Sequence, residues 1–587
     1  MSDGRLPRQR RWVGWALGIV LTCLVLLVGW VTVRGIGAVE SLQRVADGAA
    51  GLKSAIAEGD LERAADISDT IAIHAASARD LTADPVWQGF GYVPWLGPNF
   101  RAVSDIAVIA DDVAQDALEP MLAAAADIDL TSLGFRDGAI DLGPLGLIQA
   151  PLETASETLD TALDRAVRID ADATLPPLAD AVGEMRAAVT EAATVVGTLH
   201  GASVLLPSML GANGPRFYVL AMQNNAELRS SGGIVGSVAL LRAENGRISL
   251  ERQASAVDFP PLEAPLTLSE STVALFEDGP GRYLQNLSSI PDFTEAGPAI
   301  ATRWQGVFGG TVDGVVAVDA VVAAHLTDAV GPLSFGPFTA TADDVVRILL
   351  SDIYATIPDP VVQDQVFAQA AAGLFGAALT NGDAPALLEA LTASAGENRI
   401  RIWSAHEEEQ RVLADSSLSG AIPADGDDES HVGVLYNDTT GGKMDFYARQ
   451  SITTAIGTCE GEPTTQIRVT FTNDAPADAA TTLPPYVTGG EFYGVPAGTI
   501  RTLVAVYGPE GASLSHADRD GTEEPVQTAM IGSRSTVQHD VLLAPGESST
   551  ITVEFQGTGA GERLTRVVST PTIEAPDTTR EELRCAS

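Results

Sequence analysis

Lysine is nearly missing from this sequence of 587 residues. Only Lys53 and Lys443 occur, and arginine brings the basic total to 35 against 77 acidic residues. The net charge of −42 repels nucleic acid and anionic headgroups, so an anionic ligand needs a local arginine cluster or main-chain donors. Cysteine is as scarce, with Cys23, Cys459 and Cys585 alone, which excludes a cysteine-ligated metal centre. The seven histidines (His74, His200, His325, His406, His431, His516 and His539) are scattered and form no H-x-x-x-H pair, so no metal is expected. There is no G-x-S-x-G elbow, which removes an α/β-hydrolase reading. Gly441-Gly442-Lys443-Met444 lacks the upstream glycine and the following Ser or Thr of a phosphate loop. Asp518-Arg519-Asp520-Gly521 begins like a calcium loop, but Gln527 stands where the closing glutamate belongs. Glycine and proline show no period, which excludes a collagen-like chain.

What is present begins with an apolar run. Val13 to Val33 carries no charge over ~21 residues, enough to cross a bilayer as a helix. Arg5, Arg8, Arg10 and Arg11 precede it and acidic residues dominate after Glu40, so the positive-inside rule puts residues 1–12 in the cytoplasm. Trp12, Trp15 and Trp30 fall near the two interfaces. A cleaved signal peptide is the alternative, but the run exceeds the usual ~7–15 apolar residues and no A-x-A site follows. The expectation is a single-pass membrane protein with its bulk extracytoplasmic, and no second apolar run of that length is read downstream.

Beyond the membrane, apolar residues recur at three- and four-residue steps over Val39–Ile73, Val103–Met121, Leu152–Ile169 and Leu178–Leu199. Turns at Pro94–Pro98 and Gly143–Pro151 separate them, which predicts a helical bundle or stalk over 38–206. The aromatic turn Trp87, Phe90, Tyr92 and Trp95 fits packing between helix ends or contact with a partner. From Pro215 the pattern changes to short β-runs, Phe217–Met222, Ile234–Leu241, Arg247–Ala254 and Val312–Asp319, followed by helical stretches at Ala320–Val330, Ala342–Ile353 and Val361–Leu379. This predicts a central α/β layered domain over 215–422, with Asn245-Gly246 as a type I′ hairpin turn. After an acidic loop read as mobile, Asp425–Glu429, alternating runs such as Gln466–Phe471, Leu503–Tyr507 and Thr550–Phe555 predict a β-sandwich over 430–587. The fold class is therefore multidomain α+β. Cys459 and Cys585 flank the last domain and, in an oxidising exterior, are expected to form a disulfide; Cys23 lies within the bilayer.

The segment with most chemistry is Gln223-Asn224-Asn225-Ala226-Glu227-Leu228-Arg229-Ser230-Ser231-Gly232-Gly233, a polar run between two hydrophobic strands. Amides, hydroxyls, one guanidinium and two glycine N–H groups suit an anion-binding cleft with Arg229 at its centre. A tight connection with Glu227 paired to Arg229 is the other reading. The candidate ligand residues are Asn224, Asn225, Glu227, Arg229, Ser231, Asp258, Asn286 and Asp292.

YVLAMQNNAELRSSGGIVGSVALLRAENGRI, with NLSSIPDF (286–293), VDGVVAVD (312–319) and YNDTTGGKMDFY (436–447), resembles the signature of bacterial membrane-anchored proteins catalogued as domain of unknown function 4012. The order of strand, arginine loop, hairpin and helix also resembles the LytR-CpsA-Psr proteins, which transfer glycopolymers from polyprenyl pyrophosphate to the cell wall. That second resemblance implies an R-S-D-T segment at Arg229-Ser230-Ser231, with Ser231 where those proteins carry a magnesium aspartate. It places a P-R-D segment near Val257-Asp258-Phe259-Pro260, where the arginine is missing. Two functions follow as expectations. The first is a cell-envelope protein that binds or assembles surface glycopolymer, a lipid-linked precursor or a partner protein, without a cofactor. The alternative is a glycopolymer phosphotransferase using Arg229 for phosphate and Asp258 or Asp292 for magnesium.

Overall fold

A computed structural model describes residues 8–126, 135–136, 139–381, 383–414, 416–426, 429–557, 560 and 564–585. The side chains of residues 8–21, 23 and 24 lie outside the described set, and so do Arg5, Asp427 and Asp428. The chain is mixed α+β and divides into two compact units, Met1–Leu133 with Asp141–Ser208, and Gly134–Ile140 with Met209–Ser587.

The first unit is helical. Its opening helix, Arg8–Ala57, continues without a break from the apolar run into the amphipathic stretch. The helix expected to run on to Ile73 instead stops at Ala57. Asp60 caps a new helix, Leu61–Thr82, by accepting from the Arg63 N–H at 3.0 Å, and that helix folds back along the first. Gly97–Asp112 and Gly143–Val167 follow. The second of these contains Pro151, read above as part of a turn. The proline removes one main-chain donor, and the helix accommodates it beside the exposed Leu147, where water can serve the freed carbonyl. In the last helix, Pro176–Met209, the buried residues Val182, Val189, Val196 and Ser203 recur every seventh position and form a seam. Val182 and Val189 pack with Ile106, Ile109 and Ala162. By length and composition this helix and Val25–Ile56 are both apolar enough to cross a membrane; Pro176–Met209 is a second such helix, not expected from the sequence, its charges Asp180, Glu184, Arg186 and Glu191 lying in its first half and none in Ala192–Met209.

The second unit is built on three main sheets. A seven-stranded sheet has the order Phe135–Arg136, Ala139–Ile140, Arg247–Ser255, Gly232–Glu244, Arg216–Arg229, Gly314–Asp319, Arg401–Ser404. Strand Gly314–Asp319 runs parallel to Arg216–Arg229, with Tyr218 opposite Gly314 and Gln223 opposite Asp319, and the other pairs are antiparallel. Helix Phe293–Phe308 shares an apolar cluster with the sheet through Val219, Val235, Val238, Ile300, Trp304 and Val315. Helix Ala320–Val330 starts where expected, because Asp319 accepts from the Val321 and Val322 N–H groups. Asn245 and Gly246 turn the hairpin with φ values of 51° and 78°, as a type I′ turn requires.

The remaining sheets have five strands (527–531, 534–543, 500–507, 429–438, 564–569) and six strands (522–523, 513–519, 548–556, 462–473, 448–459, 577–582). Val432, Val434 and Val504 of the first and Ile452, Ile467, Val469 and Phe555 of the second belong to one apolar cluster. A disulfide joins Cys459 to Cys585. Asp425, expected in a mobile loop, is instead pinned: it accepts from the His431 and Glu510 N–H groups and pairs with the buried Arg534 at 2.7 Å.

Candidate functional site

The polar run occupies the end of strand Arg216–Arg229 and the turn into Gly232–Glu244. Pairing slips there, from Asn224 opposite Ile234 to Leu228 opposite Gly233, so that Asn225, Ala226 and Glu227 bulge out of the ladder. Gly233 is required at this point, because a Cβ would stand 2.2 Å from the Asn224 carbonyl. The main-chain approach that could have served a ligand is made by the protein itself.

Most polar groups of the run find an internal partner, although Asn225 Oδ1 is buried without one. Gln223 donates to the Ser231 hydroxyl at 2.9 Å, and Asn224 donates to the Tyr354 hydroxyl at 2.7 Å. Asn225 donates to Asp319 Oδ2 and to the Pro571 carbonyl, both at 3.0 Å. The Ser230 N–H donates to Asn437 Oδ1 at 3.0 Å, and the Ser231 N–H to the Ser288 carbonyl at 2.9 Å. Arg401 donates to the Ser231 carbonyl. Arg399 joins from the other side, with Nη1 2.7 Å from Asp319 Oδ2 and Nη2 donating to the Thr572 carbonyl.

The charges at the centre are Glu227, Arg229 and Lys443, which keep 7%, 8% and 8% of their surface. Glu227 accepts from Arg229 at 3.2 Å and from Lys443 at 2.5 Å. Arg229 also donates to the Leu228 and Asp438 carbonyls at 2.8 and 3.2 Å and stands 3.5 Å from Asn286 Oδ1. Lys443 lies under the rings of Tyr354 and Tyr486, 5.9 and 5.4 Å from their centroids. Asp445 Oδ2 accepts from the Leu228 N–H at 2.7 Å, while its Oδ1 is buried without a hydrogen-bond partner.

Burial opposes ionisation of Glu227, yet Lys443 and Arg229 hold its carboxyl below the usual range. Asp438 goes the other way: burial, then repulsion from Glu227, pushes it up to about 6, against Arg229 and the Thr440 donors. Burial and the Asp438 charge raise Asp445 well above the usual range, which favours its neutral form. Burial also pulls the Arg401 guanidinium down to about 10.

Of the residues singled out in the sequence, Asn224, Asn225, Glu227, Arg229 and Ser231 are together and Asn286 joins them. Asp258 does not: it is exposed and caps the turn that follows Ser255, accepting from the Ser255 N–H at 2.9 Å. Asp292 caps helix Phe293–Phe308 through the Thr294 N–H. Asp292 lines a separate cavity of about 380 Å³ with Ser269, Thr272 and Glu295. Glu295 is itself bonded to the Ser269 and Thr272 hydroxyls there. Asp319, Arg399, Arg401, Asp438, Lys443 and Asp445 were not singled out. A signal existed for four of them, since Asp319 closes VDGVVAVD and the other three lie in YNDTTGGKMDFY. Among the described residues no group of three or more His, Cys, Asp or Glu could hold a metal ion.

A short aromatic segment packs on this network. Tyr486 stacks near Tyr354, with ring centroids 5.7 Å apart, while the Tyr493 ring lies against Gly441 and Phe492 edges onto Tyr493 at 5.0 Å. Tyr486, Phe492 and Tyr493 are all exposed.

Residues 213–354 match the model of a family described as protein of unknown function (DUF4012). The match spans the bulged hairpin and Asp319 and ends at Tyr354, so the Tyr436–Tyr447 stretch lies beyond it. No curated protein matches the chain.

Proposed function

We propose that this chain, which carries the DUF4012 domain over residues 213–354, is a membrane-anchored extracytoplasmic protein that binds surface glycopolymer of the cell envelope without transforming it. Val13–Val33 is the anchor, residues 1–12 are cytoplasmic, and the Cys459–Cys585 disulfide fits an oxidising exterior. The two C-terminal sheets form a sandwich with one shared core. The observation that carries the reading is the exposed trio Tyr486, Phe492 and Tyr493 beside a buried cluster in which Glu227 is already paired with Arg229 and Lys443. Flat apolar rings held open to water suit the apolar faces of sugar rings.

The alternative, a LytR-CpsA-Psr-like phosphotransferase, is favoured by the approach of Asn286 to Arg229 at 3.5 Å. The residues do not fit its magnesium: Ser231 is buried and bonded to Gln223, and Asp258 and Asp292 are capping groups elsewhere. The test is co-sedimentation of the detergent-solubilised full chain with purified cell-wall sacculi. Wild type should pellet, and the Phe492→Ala/Tyr493→Ala variant should stay in the supernatant with an unchanged melting curve. Equal pelleting of both, or no pelleting of either, overturns the reading.

A further inference from the structure

The turn between helices Pro85–Phe90 and Gly97–Asp112 divides its aromatic residues in two. Trp87 is buried against Phe100, with ring centroids 4.7 Å apart, and Phe90 packs beside them. Tyr92 and Trp95 are 90% and 92% exposed, and Leu96 is open as well. The turn is nonetheless firmly closed. The Gly97 N–H donates to the Val93 carbonyl at 2.7 Å, Leu96 N–H to Pro94 at 2.9 Å, and Arg101 donates to the Gly91 carbonyl. Trp95 sits at φ 63°, in the left-handed region that bulky residues rarely adopt, so backbone strain is accepted to hold this ring in the open.

Its height along the first helix gives the turn its meaning. Trp87 packs on Gly35 and shares a cluster with Val31 and Ala38. Arg34 donates to the Asp80 and Leu81 carbonyls, and Trp30 Nε1 stands 3.5 Å from Asp84. The turn therefore lies level with residues 30–35, where the apolar run ends, and Trp30 and Val33 are themselves exposed there.

We propose that Tyr92, Trp95 and Leu96 insert into the bilayer interface beside the point where the first helix emerges, as a second, loop-borne anchor that fixes the tilt and height of the helical unit. The proposal rests on the reading of Val13–Val33 as a membrane anchor. Tryptophan and tyrosine favour this depth because the ring reaches apolar chains while its polar edge stays among headgroups. The neighbouring turn carries exposed Asp170 and Asp172 and is tied to this end by the Leu175 N–H donating to Asn99 at 2.9 Å. Attraction is thus apolar rather than electrostatic, and zwitterionic lipid suffices.

The full chain with Cys23→Ser, its disulfide kept oxidised, is reconstituted in phosphatidylcholine vesicles. Single cysteines at Val33, Leu96 and Ile73 carry an environment-sensitive fluorophore, and lipids with a quencher near the headgroup are added. Loss of fluorescence at Leu96 as large as at Val33, with Ile73 unaffected, supports the proposal. Quenching at Val33 without quenching at Leu96 overturns it and leaves the anchor standing. Absence of quenching at Val33 overturns the anchor reading and this proposal with it. Adding Tyr92→Ser and Trp95→Ser should reduce the Leu96 quenching, and an unchanged loss would show that the two rings do not hold the turn in the interface.

Discussion

Two segments reverse the usual placement of side chains. The run Gln223–Gly233 hides its charges: Glu227 and Arg229 are buried with Lys443, and the amides and hydroxyls bond to Asn437, Tyr354, Asp319 and Pro571. The turn Gly91–Leu96 exposes its rings: Tyr92 and Trp95 stand in the open while Trp87 and Phe90, just before it, pack. A buried charge must be matched at once by its neighbours, so its partners are readable in the structure. An exposed ring points to a partner that the chain itself does not supply. Charge here pairs within the second unit, and exposed aromatic surface is where the two proposals above place contact with something else.

The sharpest way to break that comparison is to remove one charge from the buried cluster. Lys443→Met leaves Glu227 buried with Arg229 as its only ion-pair partner among the described residues, and a loss of about 3–5 kcal/mol is expected for a buried pair broken on one side. Chemical denaturation of the full chain reads it. The double variant Glu227→Gln/Lys443→Met should recover part of the loss. A near-zero effect of Lys443→Met would mean that the network is not a fastening.

A smaller effect is expected from pH. The folded Asp438 carboxyl is raised to about 6 from 3.8. The folded state therefore holds a proton that the unfolded chain has released, and this contribution to stability falls as pH rises from about 4 to about 6. Glu227 has the opposite sign, since its carboxyl is lowered and its contribution is lost on acidification below the ordinary carboxylate range. Asp438→Asn should lessen the decline between pH 4 and 6 by an amount on the order of 1–3 kcal/mol, the remainder belonging to Asp445, whose carboxyl is raised in the same direction. Parallel stability curves for wild type and variant across that window would exclude Asp438 as its source.

The parts legible in the sequence were those set by local rules. Helix Ala320–Val330 and the Asn245-Gly246 turn follow from a capping aspartate and a pair of residues tolerant of positive φ. The disulfide followed from there being only two cysteines outside the apolar run. The failure at the polar run was non-local. The partners of the polar run, Asn437, Asp438, Lys443 and Asp445, lie more than two hundred residues downstream, and no periodicity links them to Glu227 or Arg229. The helix expected over Val39–Ile73 was divided by a capping aspartate, Asp60, inside an apolar pattern that continued across it. For the aromatic turn the sequence leaves packing and contact open, and the structure packs Trp87 and Phe90 while leaving Tyr92 and Trp95 exposed.

The central claim is that Arg229 holds the fold together rather than a ligand, and Arg229→Lys tests it most directly because it keeps the charge and removes the fork that reaches Glu227, Leu228 and Asp438. Denaturation and sacculus co-sedimentation would be measured on the same preparation of full-length protein. The account predicts a loss of about 1–3 kcal/mol in stability, with pelleting per folded molecule equal to wild type. Unchanged stability together with lost pelleting would contradict it and make Arg229 part of the binding surface.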